Sequence, residues 1–271
     1  MTSQAMMTEG SRRVAPRDAR LIVGHVLGAA LFAPDPSRQE TLTWTEVQRC
    51  RTLIRRRAEG WPLAYLRRRA AFWDMELAVG PAVLCPRPET ELLLELSQQL
   101  ELPAGSWAID VGTGSGALAI GLGRLHPHWQ VAGTDRSRSA LATASENGRK
   151  LAPAVRWWWG DLLTPVRIRK LKPTLIVANL PYVAHGARVD REVRREPKAA
   201  IWSGADGLSH IRRLIVEAAE CLSEDGQLLL EVGWGQAREV AAFGASVLHA
   251  SATVVPDLAG YGRVVILRKT G

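Results

Sequence analysis

Hydrophobic positions along this chain change their period twice. In "RDARLIVGHVLGAALF" Ala19, Ile22, Val23, Val26 and Leu27 recur at i, i+3, i+4, the stripe of an amphipathic helix. Pro34 and Pro36 stop it. "TWTEVQRCRTLIRRRAEG" begins a second helix, with Thr43 or Thr45 as its cap and Gly60 past its end. From Ala71 to Leu84, "AFWDMELAVGPAVL" has the texture of strands, with a turn at Gly80-Pro81. "CPRPETELLLELSQQL" holds two prolines that a helix interior cannot take, so its helix is placed after them with Thr90 as N-cap.

Beyond Trp107 the pattern becomes short apolar runs, "WAIDVG", "QVAGTD", "AVRWWWGD", "PTLIVAN" and "GQLLLEVG". Between them lie helical stretches such as "SALATASENGRKL" and "LSHIRRLIVEAAECL". Runs without alternation suit strands buried on both faces, and interleaved helices imply a parallel α/β sheet with right-handed crossovers. Three units are expected: a helical region over 1–70, a β-hairpin linker over 71–85, and an α/β domain over 86–271. The Trp157–Trp159 run is read as packing rather than a ligand platform.

Composition narrows the class. At 271 residues, 46% of them hydrophobic, the chain can bury a full core. No apolar stretch approaches the ~18 residues of a membrane span, and "MTSQAMMTEGSRR" lacks the apolar centre of a signal peptide. Cys50, Cys85 and Cys221 are odd in number and far apart, which suggests neither a disulfide framework nor a zinc site. A cytoplasmic protein and a monomer, with no metal and no membrane partner, are expected. The net charge of +8 is uneven: residues 1–75 carry +6, from thirteen arginines and seven acids with no lysine. Such an excess can attract RNA or an acidic protein surface, or simply form a solvated helical face.

Candidate chemistry begins where "WAIDVG" ends. Asp110-Val111-Gly112-Thr113-Gly114-Ser115-Gly116-Ala117 is a glycine-rich strand-to-helix turn, able to bring backbone close to a ligand. Gly112, Gly114 and Ala117 also satisfy a loose nicotinamide dinucleotide fingerprint. Asp110, two residues ahead, would repel a pyrophosphate, so the loop better suits a cationic or zwitterionic centre such as the amino-acid part of S-adenosylmethionine. Asp135 ends the next strand and can accept from both ribose hydroxyls. Asp161, beside Leu162, closes the third strand, where an adenine edge would fall. One aspartate at a strand end is ordinarily a cap or a turn; three at successive ends beside a glycine loop are not readily coincidental.

The fourth strand ends in Asn179-Leu180-Pro181-Tyr182. A planar nitrogen, in an amide or a base amine, is a poor nucleophile because its lone pair is delocalised. Acceptors on each N–H can hold it in place, and here the Asn179 carboxamide oxygen and the Leu180 carbonyl can serve. Pro181 stiffens the turn and Tyr182 can stack on the planar group. Orientation then carries most of the rate, without a basic side chain.

With these residues in place, the chain resembles the peptide chain release factor glutamine N5-methyltransferases. The shared elements are "PLAYL" (62–66), "CPRPETE" (85–91), "DVGTGSG" (110–116), "NLPY" (179–182), "EPKAAIWSGADGL" (196–208), "LLEVGWGQ" (229–236) and "DLAGYGRVV" (257–265). The resemblance implies a class I methyltransferase (Rossmann-like) sheet, with a small helical N-terminal domain joined by a hairpin and docking the release factor. It implies S-adenosylmethionine as cofactor and the glutamine of a Gly-Gly-Gln loop as methyl acceptor. Asn179, Leu180, Pro181 and Tyr182 become the catalytic candidates. The cofactor candidates are Asp110, Gly112, Thr113, Gly114, Ser115, Gly116, Asp135, Asp161, Leu162 and Asn179.

One departure stands out, since the family usually reads Asn-Pro-Pro-Tyr and this chain has Leu180. "NLPY" is similar to the motif of the ribosomal RNA adenine dimethyltransferases, so adenine-N6 methylation of RNA is the alternative and RNA contact is not required by the first reading. Those RNA enzymes carry their extra domain after the catalytic one, whereas "GRVVILRK" is followed by two residues here, an order that favours a protein substrate. A nicotinamide-dependent oxidoreductase or a cofactor-binding scaffold is a third reading, opposed by Asp110 and by the want of a hydride-transfer constellation.

Overall fold

The computed structural model describes residues 1–28 and 40–270. Four helices come first: α1 (Ser3–Gly10), α2 (Pro16–Val26), α3 (Trp44–Ala58) and α4 (Leu63–Arg67). Thr43, not Thr45, caps α3: its hydroxyl accepts from Glu46 N while the Glu46 carboxylate accepts from Thr43 N, a reciprocal capping box. The expected stop at Pro34 and Pro36 lies outside the described residues. Met6, Ile22, Val23, Val47, Cys50 and Ile54 pack between α1, α2 and α3 as a small separate core.

A hairpin follows, β1 (Arg69–Phe72) and β2 (Met75–Ala78). It reverses at Trp73-Asp74, not at Gly80-Pro81, which instead forms a separate turn closed by Val83 N donating to Gly80 O at 3.1 Å. Trp73 sits at φ +56°, an uncommon conformation for a bulky side chain. What holds it is tertiary: Trp73 N donates to Glu91 Oε1 at 2.7 Å, and Asp74 pairs with Arg124.

The remaining elements alternate as the runs imply: α5 (Glu91–Gln98), β3 (Trp107–Val111), α6 (Ala117–Leu125), β4 (Gln130–Asp135), α7 (Arg138–Leu151), β5 (Arg156–Trp159), α8 (Thr164–Ile168), β6 (Leu175–Ala178), α9 (Ser209–Cys221), β7 (Gln227–Glu231), α10 (Ala237–Leu248), β8 (Ala250–Pro256) and β9 (Gly262–Lys269). They build a seven-stranded sheet of order β5-β4-β3-β6-β7-β9-β8. Five strands are parallel, but β9 runs antiparallel between β7 and β8, which the parallel expectation did not include.

Side chains of each central strand alternate between two apolar layers. Ile109, Val111, Ile176 and Ala178 face α8, α9 and α10; Ala108, Leu175 and Val177 face α5, α6 and the hairpin. Trp157 packs against Gly116, Gly133 and Gly148 and Trp158 is buried, but Trp159 is 57% exposed, so packing accounts for two of the three tryptophans. Among the described residues no helix is long and apolar enough to cross a membrane.

Candidate active site

The chain winds outward from β3 in both directions, which opens a crevice at the carboxyl ends of β3, β4 and β6. Register sets what meets there. Val111 lies abreast of both Thr134 and Ala178, and Ala178 abreast of Leu230. The next residues along, Gly112, Asp135, Asn179 and Glu231, therefore come level at one edge. The first three line a cleft of about 1100 Å³, open mouth included. Asp110, Gly112, Thr113, Gly114, Ser115, Asp135, Asp161, Leu162, Asn179, Leu180 and Pro181 all line it.

Asp110 is 1% exposed and belongs to the α6 face of β3. Its Oδ2 accepts from the Thr113 hydroxyl at 2.6 Å and from Ala119 N at 3.1 Å, tying strand, loop and helix together. Burial pushes its carboxyl up to about 7 despite these donors. Gly112 has φ +74°, and a side chain there would meet Leu180 Cδ2 at 2.8 Å. Gly116, at φ +85°, lies outside the cleft wall; it is pressed by Trp157 and Ile120 and serves the turn into α6.

Asp135 is oriented by backbone. Its Oδ1 accepts from Ser137 N at 2.8 Å and its Oδ2 from Gly114 N at 3.0 Å, which joins the β4 end to the glycine loop. Burial raises its carboxyl above the usual range while these donors oppose the rise. Asp161 is more open and pairs with Arg213 at 2.6 Å. Leu162, in a left-handed conformation at φ +43°, turns its carbonyl to the Thr134 hydroxyl at 3.0 Å.

The Asn179 side chain lies on the α5 face of the sheet. Its Nδ2 donates to Thr90 Oγ1 at 2.8 Å, and Thr90 Oγ1 donates to Glu231 Oε2 at 2.6 Å. Glu231 Oε1 accepts from the Tyr182 hydroxyl at 3.3 Å. Thr90 is thus no helix cap: its backbone is already helical and its hydroxyl caps nothing, because a buried carboxylate across the sheet is the better acceptor. Tyr182 lies outside the cleft wall, with its ring against the core of the α9 face. Leu180 is 5% exposed and fills the space over Gly112.

Sequence reasoning missed Thr90 and Glu231 as parts of this site, although both fall inside stretches singled out above. Those stretches converge. Arg87 pairs with Glu196 at 2.7 Å, which links "CPRPETE" to "EPKAAIWSGADGL". Gln236 Nε2 donates to Tyr182 O at 3.0 Å, and Arg263 to Val232 O at 3.1 Å. Tyr65 of "PLAYL" donates its hydroxyl to the Val83 carbonyl, just ahead of Cys85.

The chain is similar to known proteins in sequence and in fold. Residues 88–199 match the methyltransferase small domain family, and residues 4–67 match the PrmC N-terminal domain family. The release factor glutamine methyltransferase of Moorella thermoacetica is 37% identical over 276 residues, covering 97% of each chain. That of Deinococcus radiodurans is 38% identical, covering 94% of this chain and 91% of its own. In fold alone, the chain is similar to a methyltransferase of Pyrococcus furiosus, with a TM-score of 0.56 and 17% identity over 74% of this chain and 92% of that one. With relatives of more than 30% identity aligned from end to end, this chain belongs to the release factor glutamine methyltransferase family.

Proposed function

We propose that this protein transfers a methyl group from S-adenosylmethionine to the side-chain amide nitrogen (N5) of the glutamine in the Gly-Gly-Gln loop of peptide chain release factors. The observation that carries the reading is that one cleft joins the glycine loop and Asp135 to Asn179, Leu180 and Pro181. The cleft suits the cofactor's three parts. The buried Asp110 carboxylate beside the loop suits a cationic amino-acid group, Asp135 suits a ribose diol, and Leu162 with Ala140 offers apolar wall to a flat base.

When bound, S-adenosylmethionine supplies an electrophilic methyl carbon on a sulfonium. The chain's own part is to hold the acceptor nitrogen. The Asn179 carboxamide oxygen and the Leu180 carbonyl accept its two N–H groups, which directs the lone pair away from them and meets the positive charge that develops on nitrogen. Pro181 stiffens the turn that presents both acceptors, and Tyr182 braces it through Glu231.

We assign residues 1–70 to docking and orienting the release factor, 71–85 to the hairpin linker and 86–271 to the methyltransferase domain. Exposed Arg12, Arg17 and Arg20 give the first unit a basic face. The protein acts in the cytoplasm, as a monomer. Labelled S-adenosylmethionine offered with a release factor or with ribosomal RNA tests the assignment. Label is expected on the release-factor glutamine; label on RNA alone would reverse it.

A further inference from the structure

We infer that Thr90 and Glu231 form a positioning relay that decides which end of the Asn179 carboxamide faces the acceptor nitrogen. The inference rests on the reading of Asn179 as an acceptor for that nitrogen. A carboxamide has two ends of nearly equal shape and opposite chemistry, since its oxygen only accepts and its nitrogen only donates. A substrate amide presents N–H groups. A reversed Asn179 would set donors against donors and lose the contact.

Hydrogen-bond polarity assigns the end. The Thr90 hydroxyl has a single proton. Glu231 takes it, at 2.6 Å, onto a carboxylate that is 1% exposed and only accepts when ionised. The Thr90 oxygen, 2.8 Å from the Asn179 amide, is left as an acceptor only. Asn179 must therefore turn its NH₂ to Thr90 and its oxygen away.

The relay is built from three distant stretches that the fold brings together. Ala178 pairs with Leu230 across the sheet, so Asn179 and Glu231 stand side by side with their side chains on one face. Thr90, 4% exposed at the start of α5, covers them. The other oxygen of Glu231 holds the Tyr182 hydroxyl, so one carboxylate steadies both ends of "NLPY". Arg263, the guanidinium whose charge acts on Glu231, is engaged with Asp257 at 3.1 Å. Glu231 therefore serves as a pure acceptor for two hydroxyls.

Steady-state kinetics on a whole release factor, with cofactor binding followed by calorimetry, tests the relay. Thr90→Val keeps the shape and removes the hydroxyl. It should lower kcat roughly ten- to a hundredfold, the scale of a lost hydrogen bond in a buried network, while cofactor affinity stays within about threefold. Thr90→Ser restores the hydroxyl and should recover kcat to within about threefold. Wild-type kcat in Thr90→Val, or equal losses in the valine and serine variants, would overturn the relay. Should Thr90→Val fail to fold, Glu231→Gln and Glu231→Leu give the same reading. The glutamine keeps an acceptor for Thr90 and should retain at least tenfold more kcat than the leucine; equal values would overturn the relay. Asn179→Ala separates the two layers of inference. Full activity in that variant would remove the acceptor reading itself, whereas an inactive Asn179→Ala beside a fully active Thr90→Val would remove only the relay.

Discussion

The helical region and the sheet each have an apolar core, but they differ in how polar and charged groups tie them. Around the sheet, aliphatic side chains from both faces of β3, β6 and β7 are almost wholly buried, and polar groups let in, such as Asp110, Thr90 and Glu231, are hydrogen-bonded. Beside the small apolar core of the helices, charged groups add ties between α2, α3 and the following loops. Arg57 pairs with Asp18 at 2.6 Å and with Glu192 at 2.5 Å, and Arg195 lies over the Trp61 ring. Exposed arginines remain on the outer surface of the helices. A packed sheet can hold acceptors to within a fraction of an ångström, which methyl transfer needs. A basic helical face can meet a large partner, which needs area and charge more than precision. On the proposed function, substitutions at the sheet edge should act on cofactor and chemistry whatever the substrate. Substitutions on the helices should show only with a whole release factor.

The largest contrast is expected at Asp135. Asp135→Ala removes a charged acceptor and frees Gly114 N and Ser137 N. Cofactor affinity by calorimetry should fall roughly ten- to a hundredfold, with either substrate absent or present. Unchanged affinity would take Asp135 out of the site.

Acidity should act on the same edge. The Asp110 carboxyl, pushed up to about 7 by burial, must be ionised to hold a cationic group, so cofactor affinity should weaken as pH falls through 7. About a tenfold loss per unit is expected below that point, with a plateau above it. The sign for folding is opposite. Asp110 and Glu231 have raised values, about 7 and about 6, so their contribution to the stability of the free protein is greatest below about pH 4 and is lost as pH rises through 6 to 7. Affinity flat from pH 5 to 8 would argue against a cation beside Asp110.

On the helical side, joint charge reversal of Arg17 and Arg20 should raise KM for a whole release factor several-fold in low salt. A short Gly-Gly-Gln peptide, which cannot reach that face, should show no change. Equal losses on both substrates would give the helices a structural role and erase the contrast.

The smallest effect on activity is expected from Leu180→Pro. The carbonyl survives, so methylation should stay within a few-fold. The packing of Leu180 over Gly112 does not survive, and loss of about 2 kcal/mol should lower Tm by roughly 5 °C. Loss of all activity in a folded variant would show that this turn needs the leucine.

Much of the fold could be read locally because its signals are local. The parallel strands announce themselves as unbroken apolar runs, and the glycine loop as a turn that few other residues could make. The edge strand β8 gives no such notice: "ASATVVP" is exposed along most of its length and carries no apolar run. Thr90 was legible as a residue ahead of a helix but not as a partner of Glu231, which lies 141 positions away.

The alternation of the parallel strands with helices, the glycine loop and the Asn-Leu-Pro-Tyr strand end were thus legible in the sequence alone, because period, turn chemistry and strand ends depend on neighbours along the chain. Tertiary structure decided the rest. It placed the hairpin turn on Trp73, held by the Glu91 carboxylate and by the Asp74–Arg124 pair. It ran β9 against β7, and it set Glu231 beside Asn179. Each of these depends on the desolvation of a polar group or the filling of a space by residues remote in sequence, which no local pattern records.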